Sequence, residues 1–258
     1  MSDSKKLRIH PEYPYVYETH LHTSEASACA KCPGADMARA CKEEGYTGIF
    51  VTDHFIYGNT AVDRSLPWTE WAENFSLGYR HAKEEGDRIG LQVFFGWESC
   101  YNATEFLIYG LTPEWLVAHP EVKDCTIEEQ FDLIHSGGGM VIQAHPFREE
   151  NYIPCIRLFP EHVDGIEMVN ATHVSALSKS HVNPAFDEQA RAYAKAHNFP
   201  PTAGSDIHTT NLIFGGMAFD HKLEGPKDYI DTVLGRKKYL LLSGNETALG
   251  AEFEEVNG

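Results

Sequence analysis

The stretch Tyr17-Glu18-Thr19-His20-Leu21-His22-Thr23 decides how the rest of the chain is interpreted. The residues before His20 predict a short strand over residues 15–19, which runs directly into two histidines. On an extended backbone, residues i and i+2 point to the same side, so both imidazoles can converge on one point. Because imidazole is the commonest neutral metal ligand, His20 and His22 would supply half of a metal site.

Apolar runs of strand length alternate with helix-like segments along the chain. Strands are predicted over residues 48–52, 91–96, 106–109, 140–144, 163–169 and 239–242, and helices over residues 35–44, 69–85, 126–135, 183–197 and 225–234. Gly45 and Gly86 are expected to end the first two helices, and Thr126 with Glu129 forms a capping-box pattern. This alternation predicts parallel βαβ units in a single domain of residues 1–258, with a core of about residues 15–242.

Ligand-type side chains recur at the ends of these predicted strands. They are His54, Glu98, His145 and Asp206, with His208 two positions beyond Asp206. In a (β/α) barrel the carboxyl ends of the strands share one rim, where active sites form. A doubly wound open sheet is the alternative, and it would bring fewer of these side chains together. The pattern therefore favours an α/β barrel whose rim carries a metal cluster.

The ligand types limit the metals that such a cluster can hold. Imidazoles and carboxylates without a thiolate suit Zn, Mn or Fe, and the ligand set alone does not choose among these metals. The set exceeds what one ion binds, so two or three divalent ions are expected, with Glu98 able to bridge them. Neighbouring ions lower the pKa of a shared water, which predicts hydrolysis through a metal-bridging hydroxide.

The amino-acid composition limits the kinds of molecule that the chain is expected to bind. The formal net charge of -17 over 258 residues argues against a broad electrostatic grip on duplex nucleic acid. A metal cluster would offset this charge locally, so a small anionic substrate is still allowed. The sequence contains no export signal, and no apolar run approaches the roughly 20 residues that a membrane-spanning helix needs. We therefore expect no membrane partner and a cytoplasmic location. The pair Cys29 and Cys32 lacks a second C-x-x-C and is interpreted as ordinary reduced thiols.

Five motifs in a fixed order resemble one known family. They are H-L-H (20–22), V-T-D-H (51–54), G-W-E (96–98), Q-A-H-P (143–146) and G-S-D-I-H (204–208), and together they resemble the PHP (polymerase and histidinol phosphatase) family over about residues 15–208. The resemblance implies a distorted TIM-like (β/α)7 barrel, a trinuclear metal centre and phosphoester hydrolysis. By motif, it implies metal-ligand roles for His20, His22, His54, Glu98, His145, Asp206 and His208.

Two ligand positions depart from the family pattern. Many members carry an S-D pair five residues after H-x-H, whereas the corresponding residue here is Ser27. Glu25 is the nearest substitute, and its alternative interpretation is a solvated loop carboxylate. A further family histidine is matched best by His173, and Glu105 is a weaker candidate for the open position. A cluster of two ions instead of three therefore remains an alternative.

Substrate contacts are expected from loops on the same rim. Arg148 is the first candidate for binding phosphate, because a guanidinium pairs bidentately with phosphate oxygens; its alternative is a surface ion pair with Glu149 or Glu150. Arg64 is the second candidate cation, and Trp68 or Tyr57 could form walls for a ring. Asp206 is also expected to accept a proton from the attacking water while bound to metal.

These observations predict a metal-dependent phosphoesterase that hydrolyses a small phosphorylated substrate. The resemblance implies a histidinol-phosphate-like monoester or a nucleotide phosphate as that substrate. One alternative is a non-catalytic metal-binding regulatory module of the same fold, and another is a protein-tyrosine phosphatase of the same family. An amide hydrolase would share the barrel and the ligand types, but the usual bridging carboxylated lysine has no candidate at a strand end.

Overall fold

In the part of the chain that the structure describes, nine strands form one sheet that curls into a nearly closed barrel. The computed structural model describes residue 7 and residues 9–244 of the chain, so the outermost parts of the predicted 1–258 domain lie outside the described residues. The strands are β1 (Tyr15–Leu21), β2 (Gly48–Val51), β3 (Gln92–Tyr101), β4 (Thr104–Tyr109), β5 (Met140–Gln143), β6 (Gly165–Asn170), β7 (Pro201–Gly204), β8 (Gly215–Phe219) and β9 (Leu240–Ser243). The α/β barrel prediction is confirmed.

Eight α-helices lie in the described part of the chain. They are α1 (Gly34–Glu44), α2 (Trp68–Phe75), α3 (Leu77–Ile89), α4 (Pro113–Ala118), α5 (Ile127–Ser136), α6 (Ala171–Val174), α7 (Pro184–His197) and α8 (Pro226–Leu234). A single 3-10 turn, Pro120–Lys123, lies between α4 and α5 in this part of the chain. None of the described helices is both long and apolar enough to cross a bilayer.

Strand direction accounts for a shared rim. The sheet order is β7-β6-β5-β4-β3-β2-β1-β8-β9. β1, β2 and β3 pair in parallel, as do β5, β6 and β7, whereas β4 runs against both of its neighbours and β8 runs against β1 and β9. Seven strands therefore run in one direction, and their carboxyl ends face the same side of the barrel.

Contacts between β1 and the segment after β7 bring the two halves of the sheet together. The amide of His22 donates to the carbonyl of Ile207 at 2.9 Å, and the amide of Ile207 donates to the carbonyl of His20 at 3.3 Å. The hydroxyl of Thr19 also donates to the carbonyl of Ala203. These bonds place the G-S-D-I-H motif directly beside H-L-H.

Aromatic side chains fill the barrel below this rim. Phe50 packs against Tyr109 and Tyr229, with ring centroids 5.3 and 4.7 Å away. The carbonyl of Leu223, in the loop before α8, accepts from the side chain of Gln92 at 2.7 Å. Because Gln92 begins β3, α8 covers the amino-terminal end of the barrel, opposite the rim.

The helix predicted over residues 69–85 is wrong in two respects. It is divided into α2 and α3 at Ser76, whose hydroxyl donates back to the carbonyl of Ala72 at 2.8 Å and competes with the helical ladder. It also continues through Gly86 to Gly90, which adopts φ 73°. Gly86 is needed inside α3 because a Cβ there would lie 2.6 Å from the Val93 side chain. The capping box of Thr126 and Glu129 is confirmed.

Four elements have no counterpart among the predicted ranges. They are α4, α6, β7 and β8. The residues of β8 begin with two glycines, which weaken a strand signal. Gly216 is required there because a Cβ would lie 2.1 Å from the carbonyl oxygen of Tyr17 in β1.

Candidate metal centre

The side chains at the predicted strand ends converge at the carboxyl rim of the barrel. The structure brings together His20, His22, His54, Glu98, His145, Asp206 and His208. All of them are buried except His208, which is partly exposed. In the described residues their nitrogen and oxygen atoms form overlapping groups of three, and the ligand atoms of each group lie within 4.8 Å of one another. The rim therefore carries one continuous cluster.

His20 and His22 meet at their ring tips. Their Nε2 atoms are 3.1 Å apart. The Nε2 of His20 lies 3.2 Å from Glu98 Oε1, and the Nε2 of His22 lies 3.2 Å from Asp206 Oδ1. The convergence follows from the two-residue spacing on an extended backbone.

Glu98 connects the two sides of the cluster. Its Oε1 lies 3.2 Å from Nε2 of both His20 and His145, and its Oε2 lies 2.7 Å from Nδ1 of His54. Burial alone would raise the pKa of this carboxyl, but the imidazoles of His54 and His20 hold it well below its usual range. An anionic carboxylate with its two oxygens beside different imidazoles could help to hold more than one cation.

Hydrogen bonds from behind orient the imidazoles. Nδ1 of His20 lies 2.9 Å from Glu167 Oε1, and Nδ1 of His208 donates to the carbonyl of Asp206 at 2.8 Å. Each ring thus keeps its Nε2 lone pair for the cluster, an arrangement typical of metal-binding histidines. His145 and Asp206 adopt left-handed φ values of 28° and 59°, a strained conformation common at functional sites.

Ser27 and Asp53 stabilise the loop after β1. The Ser27 hydroxyl donates to Asp53 Oδ1 at 2.6 Å and lies 3.1 Å from Nδ1 of His22. Asp53 also accepts from the amide and the hydroxyl of Thr23, both at 2.6 Å. Ser27, at the family's Asp position, therefore orients His22 from behind.

The structure does not bring Glu25 to the cluster. Both of its carboxylate oxygens accept from the amide of Gly34 at 3.1 Å, and Oε1 lies 2.9 Å from Nδ1 of His81. Gly34 is the first residue of α1, and a helix N-terminus favours an anion.

His173 lies beside the cluster with both ring nitrogens engaged. Its Nε2 accepts from Nε of Arg148 at 3.0 Å, and its Nδ1 donates to Asp187 Oδ1 at 2.6 Å. Burial and the neighbouring charge of Arg148 lower the pKa of His173 to about 3. This arrangement leaves His173 without a free lone pair for a metal.

Glu105 joins the cluster, although the sequence makes it only a weaker candidate. One carboxylate oxygen lies 3.7 Å from Nδ1 of His54 and the other lies 3.6 Å from Nε2 of His145. Glu105 forms one of the groups of three with His54 and Glu98.

Sequence reasoning missed Cys29. The structure places this residue beside His208 and His54. Burial would raise the pKa of this thiol, but these two imidazoles lower it to about 6. Its sequence signals were the C-x-x-C with Cys32, interpreted as ordinary thiols, and its position in the small-residue loop that follows H-L-H.

The buried polar atoms fit a metal cluster. His54 Nδ1 and Glu98 Oε2 lie 2.7 Å apart, and neither has a hydrogen-bond partner among the described residues. Burying such atoms without a well-formed hydrogen bond is costly, and a cation that contacts both would offset the cost. The mixture of imidazole and carboxylate donors is also one that binds divalent transition metals.

A cavity of about 550 Å³ opens onto the cluster. Arg148, Tyr57, Tyr152 and His181 line it together with cluster residues. Arg148 is 4% exposed, its Nη1 donates to Asp206 Oδ2 at 2.7 Å, and its Nη2 has no hydrogen-bond partner in the described part of the chain. Its partner is thus Asp206, not the neighbouring Glu149 or Glu150.

Two of the expected substrate contacts lie elsewhere. Arg64 donates to the carbonyls of Ile56 and Gly58 at 2.6 and 2.7 Å, so its guanidinium holds its own loop. The indole of Trp68 donates to the carbonyl of Leu116 at 3.0 Å. Tyr57 is the one predicted wall that the structure places at the cavity.

Comparison with solved structures identifies the fold. No protein-family model matches the sequence, and no curated protein matches it. One similar structure is a two-domain protein from Bacteroides vulgatus that contains a predicted PHP-like metal-dependent phosphoesterase. Its TM-score is 0.63 at 15% sequence identity, and the match covers 88% of this chain and 66% of that protein. A candidate metal-dependent phosphoesterase from Bifidobacterium adolescentis matches with a TM-score of 0.53 at 14% identity, over 87% and 97%.

A third similar structure is a lesion-specific endonuclease from Pyrococcus furiosus. Its TM-score is 0.55 at 13% identity, and the match covers 88% of this chain and 57% of the endonuclease. The chain thus spans less than two thirds of the length of two of these three proteins. What they share with it is the PHP-like fold.

Proposed function

We propose that this chain, which has the PHP-like fold, is a metal-dependent phosphoesterase acting on a small phosphorylated substrate. The observation that carries the proposal is the buried Arg148, which lines the cavity against a cluster of metal-ligand type and whose Nη2 has no hydrogen-bond partner among the described residues. Candidate substrates are a histidinol-phosphate-like monoester and a nucleotide phosphate. A cavity of about 550 Å³ is of the size that encloses small ligands.

The proposed metal centre is held by His20, His22, His54, Glu98, His145, Asp206 and His208, with Glu105 as an additional carboxylate. Two or three divalent ions of Zn, Mn or Fe would supply electrostatic stabilisation of the phosphoryl group and an activated water. The chain's own residues supply the geometry: Glu98 connects the two sides, and hydrogen bonds from behind fix the imidazoles.

Arg148 binds the phosphoryl group in this proposal. Asp206 fixes the guanidinium through Nη1, and Nη2 is the nitrogen left without a protein partner to donate to a phosphoryl oxygen. Burial would raise the pKa of Asp206, but Arg148 and His20 hold it well below its usual range. A permanently anionic Asp206 suits the roles of metal ligand and anchor of Arg148 better than that of proton acceptor.

Charge supports a small substrate over duplex nucleic acid. The net charge of -17 opposes a polyanion over any large contact area. A single phosphoryl group at the metal centre meets Arg148 and the bound ions instead.

The test measures metal content per chain together with hydrolysis of p-nitrophenyl phosphate, before and after chelation and metal restoration. Active preparations then receive histidinol phosphate, nucleoside monophosphates, a phosphotyrosine peptide and an amide panel. Arg148→Lys should lower kcat/KM roughly 100-fold, because it removes a fixed donor to the transition state, and it should keep its metal. The control Arg64→Lys should keep most activity.

The outcomes separate the alternatives. Turnover of the phosphotyrosine peptide above the small monoesters would identify a protein-tyrosine phosphatase. Full metal content with no turnover of any phosphoester would contradict the proposal and favour a metal-binding regulatory module.

A further inference from the structure

The loop between β1 and α1 presents a thiol at the cavity edge of the cluster. Cys29 is half-buried and lines one cavity together with His54 and His208. It lines both the 550 Å³ cavity and a neighbouring cavity of about 790 Å³. His208 and Asp206 line the same two cavities, so the thiol stands where both spaces reach the cluster.

Backbone hydrogen bonds on both sides of Cys29 fix this position. The amide of Ala28 donates to the carbonyl of Asn59 at 2.8 Å, and the amide of Lys31 donates to the carbonyl of His208 at 2.9 Å. The second bond joins the loop to His208, which lines the same two cavities as Cys29. The placement is therefore built into the fold.

The two imidazoles beside the thiol have the properties of ligands. Nδ1 of His208 donates to the carbonyl of Asp206, so its Nε2 carries a lone pair. His54 is 8% exposed, and its Nδ1 has no hydrogen-bond partner among the described residues. Ligand atoms of His22, His54 and His208 lie within 4.8 Å of one another. A thiol added to two such imidazoles beside an open cavity resembles a catalytic zinc site, which keeps one position free.

We propose that Cys29 is a thiolate ligand of a metal position that it shares with His54 and His208. The inference rests on the metal centre of the proposed function. A Cys29 ligand would replace the aspartate ligand that is missing at the position of Ser27. The Ser27 hydroxyl itself already contacts Asp53 and His22. A thiolate selects a softer ion, so this position takes Zn²⁺ in preference to Mn²⁺.

Cobalt substitution of the full-length chain tests the inference without substrate. The apoprotein is titrated with Co²⁺, which reports ligand type through its absorption spectrum. The wild type should show a near-ultraviolet thiolate-to-cobalt charge-transfer band in addition to visible ligand-field bands. Cys29→Ser should lose the charge-transfer band and about one equivalent of tightly bound Co²⁺.

Cys32→Ser is the matched control. Cys32 lies three residues away, and its Sγ is 3.9 Å from the hydroxyl of Thr210. This variant should retain the charge-transfer band and the full cobalt content. His208→Ala, which removes a ligand of the same position, should lose the band while keeping Cys29.

The spectra distinguish failure of the inference from failure of the proposed function. Ligand-field bands without any thiolate band in the wild type, or a band that persists in Cys29→Ser, would overturn the role of Cys29 alone. Absence of all cobalt binding would overturn the metal centre and the inference with it.

Discussion

The buried guanidinium of Arg148 is held from two directions. Asp206 accepts from Nη1, and His173 accepts from Nε. Asp187 in turn accepts from Nδ1 of His173 at 2.6 Å. Because Arg148 must donate to Nε2, the His173 proton has to lie on Nδ1, and Asp187 stabilises that tautomer. His173 and Asp187 are therefore positioning residues for Arg148, whereas the sequence made His173 a candidate metal ligand.

Replacing His173 distinguishes these two roles. His173→Leu should raise KM for a phosphoester by about 10- to 100-fold, since a lost hydrogen bond to a charged group costs about 1.5–3 kcal/mol, and should leave metal content unchanged. His173→Gln, which keeps an acceptor, should recover most of the loss. Steady-state kinetics and metal analysis provide the measurement. Loss of one metal equivalent in both variants would instead support His173 as a ligand.

At the scale of secondary-structure elements, α1 and α3 pack against each other and against the turn that follows H-L-H. A Cβ on Gly34 would lie 2.1 Å from the carbonyl oxygen of Gly78, so the two helices cross backbone to backbone. A Cβ on Gly78 would lie 1.9 Å from the hydroxyl of Thr23 and 3.0 Å from Asp53 Oδ2. Those two groups organise the turn after H-L-H. Helix packing and ligand orientation are thus coupled at Gly78.

Gly78→Ala should therefore affect stability and metal binding together. Overpacking should lower the free energy of unfolding by about 1–3 kcal/mol. Disturbing the groups behind a ligand should weaken metal affinity by about 10-fold or more. Urea denaturation and Co²⁺ titration measure the two effects.

Gly225→Ala is the control for this prediction. A Cβ on Gly225 would meet no described atom within 4 Å, so neither quantity should change appreciably. If Gly78→Ala lost stability but bound Co²⁺ normally, α3 would contribute packing alone.

At the scale of the whole molecule, the barrel concentrates negative charge at its rim. Glu98, Glu105, Glu167 and Asp206 lie there in a chain of net charge -17. Glu105 shows the consequence, since burial and the nearby Glu98 raise its pKa. Bound cations would relieve this repulsion and stabilise the folded state by mass action.

Removing metal should lower the melting temperature of the whole chain. Saturation at about 100 times Kd stabilises a protein by about 2.7 kcal/mol. For a chain of this size each kcal/mol corresponds to about 2–4 °C, so chelation should lower Tm by roughly 5–10 °C. Differential scanning calorimetry of metal-loaded and chelated protein provides the measurement. His22→Ala removes a central ligand, so chelation should lower the Tm of this variant less. If chelation lowered the Tm of His22→Ala and of the wild type equally, this explanation would be wrong.

Much of the site could be predicted from the sequence because of strand geometry. A two-residue spacing places His20 and His22 on the same side of an extended chain, wherever that strand lies. Parallel strands end at one rim, so His54, Glu98 and His145 could be expected near them once the alternation of strands and helices was recognised. The predicted barrel followed from the same alternation.

Other features depended on contacts between distant segments. Glu25 and Cys29 share one loop, yet the N-terminus of α1 binds Glu25, while bonds to Asn59 and His208 place Cys29 at the cluster. The break at Ser76 and the helical Gly86 likewise reflect local competition and close packing.

The sequence by itself determined which strands carry ligand-type residues at or near the rim, because side-chain direction on a strand follows from local backbone geometry. Only the tertiary structure decided which loop side chains reach the cluster and which group orients Arg148. Those directions are set by hydrogen bonds to residues far away in the chain, and local patterns carry no information about them.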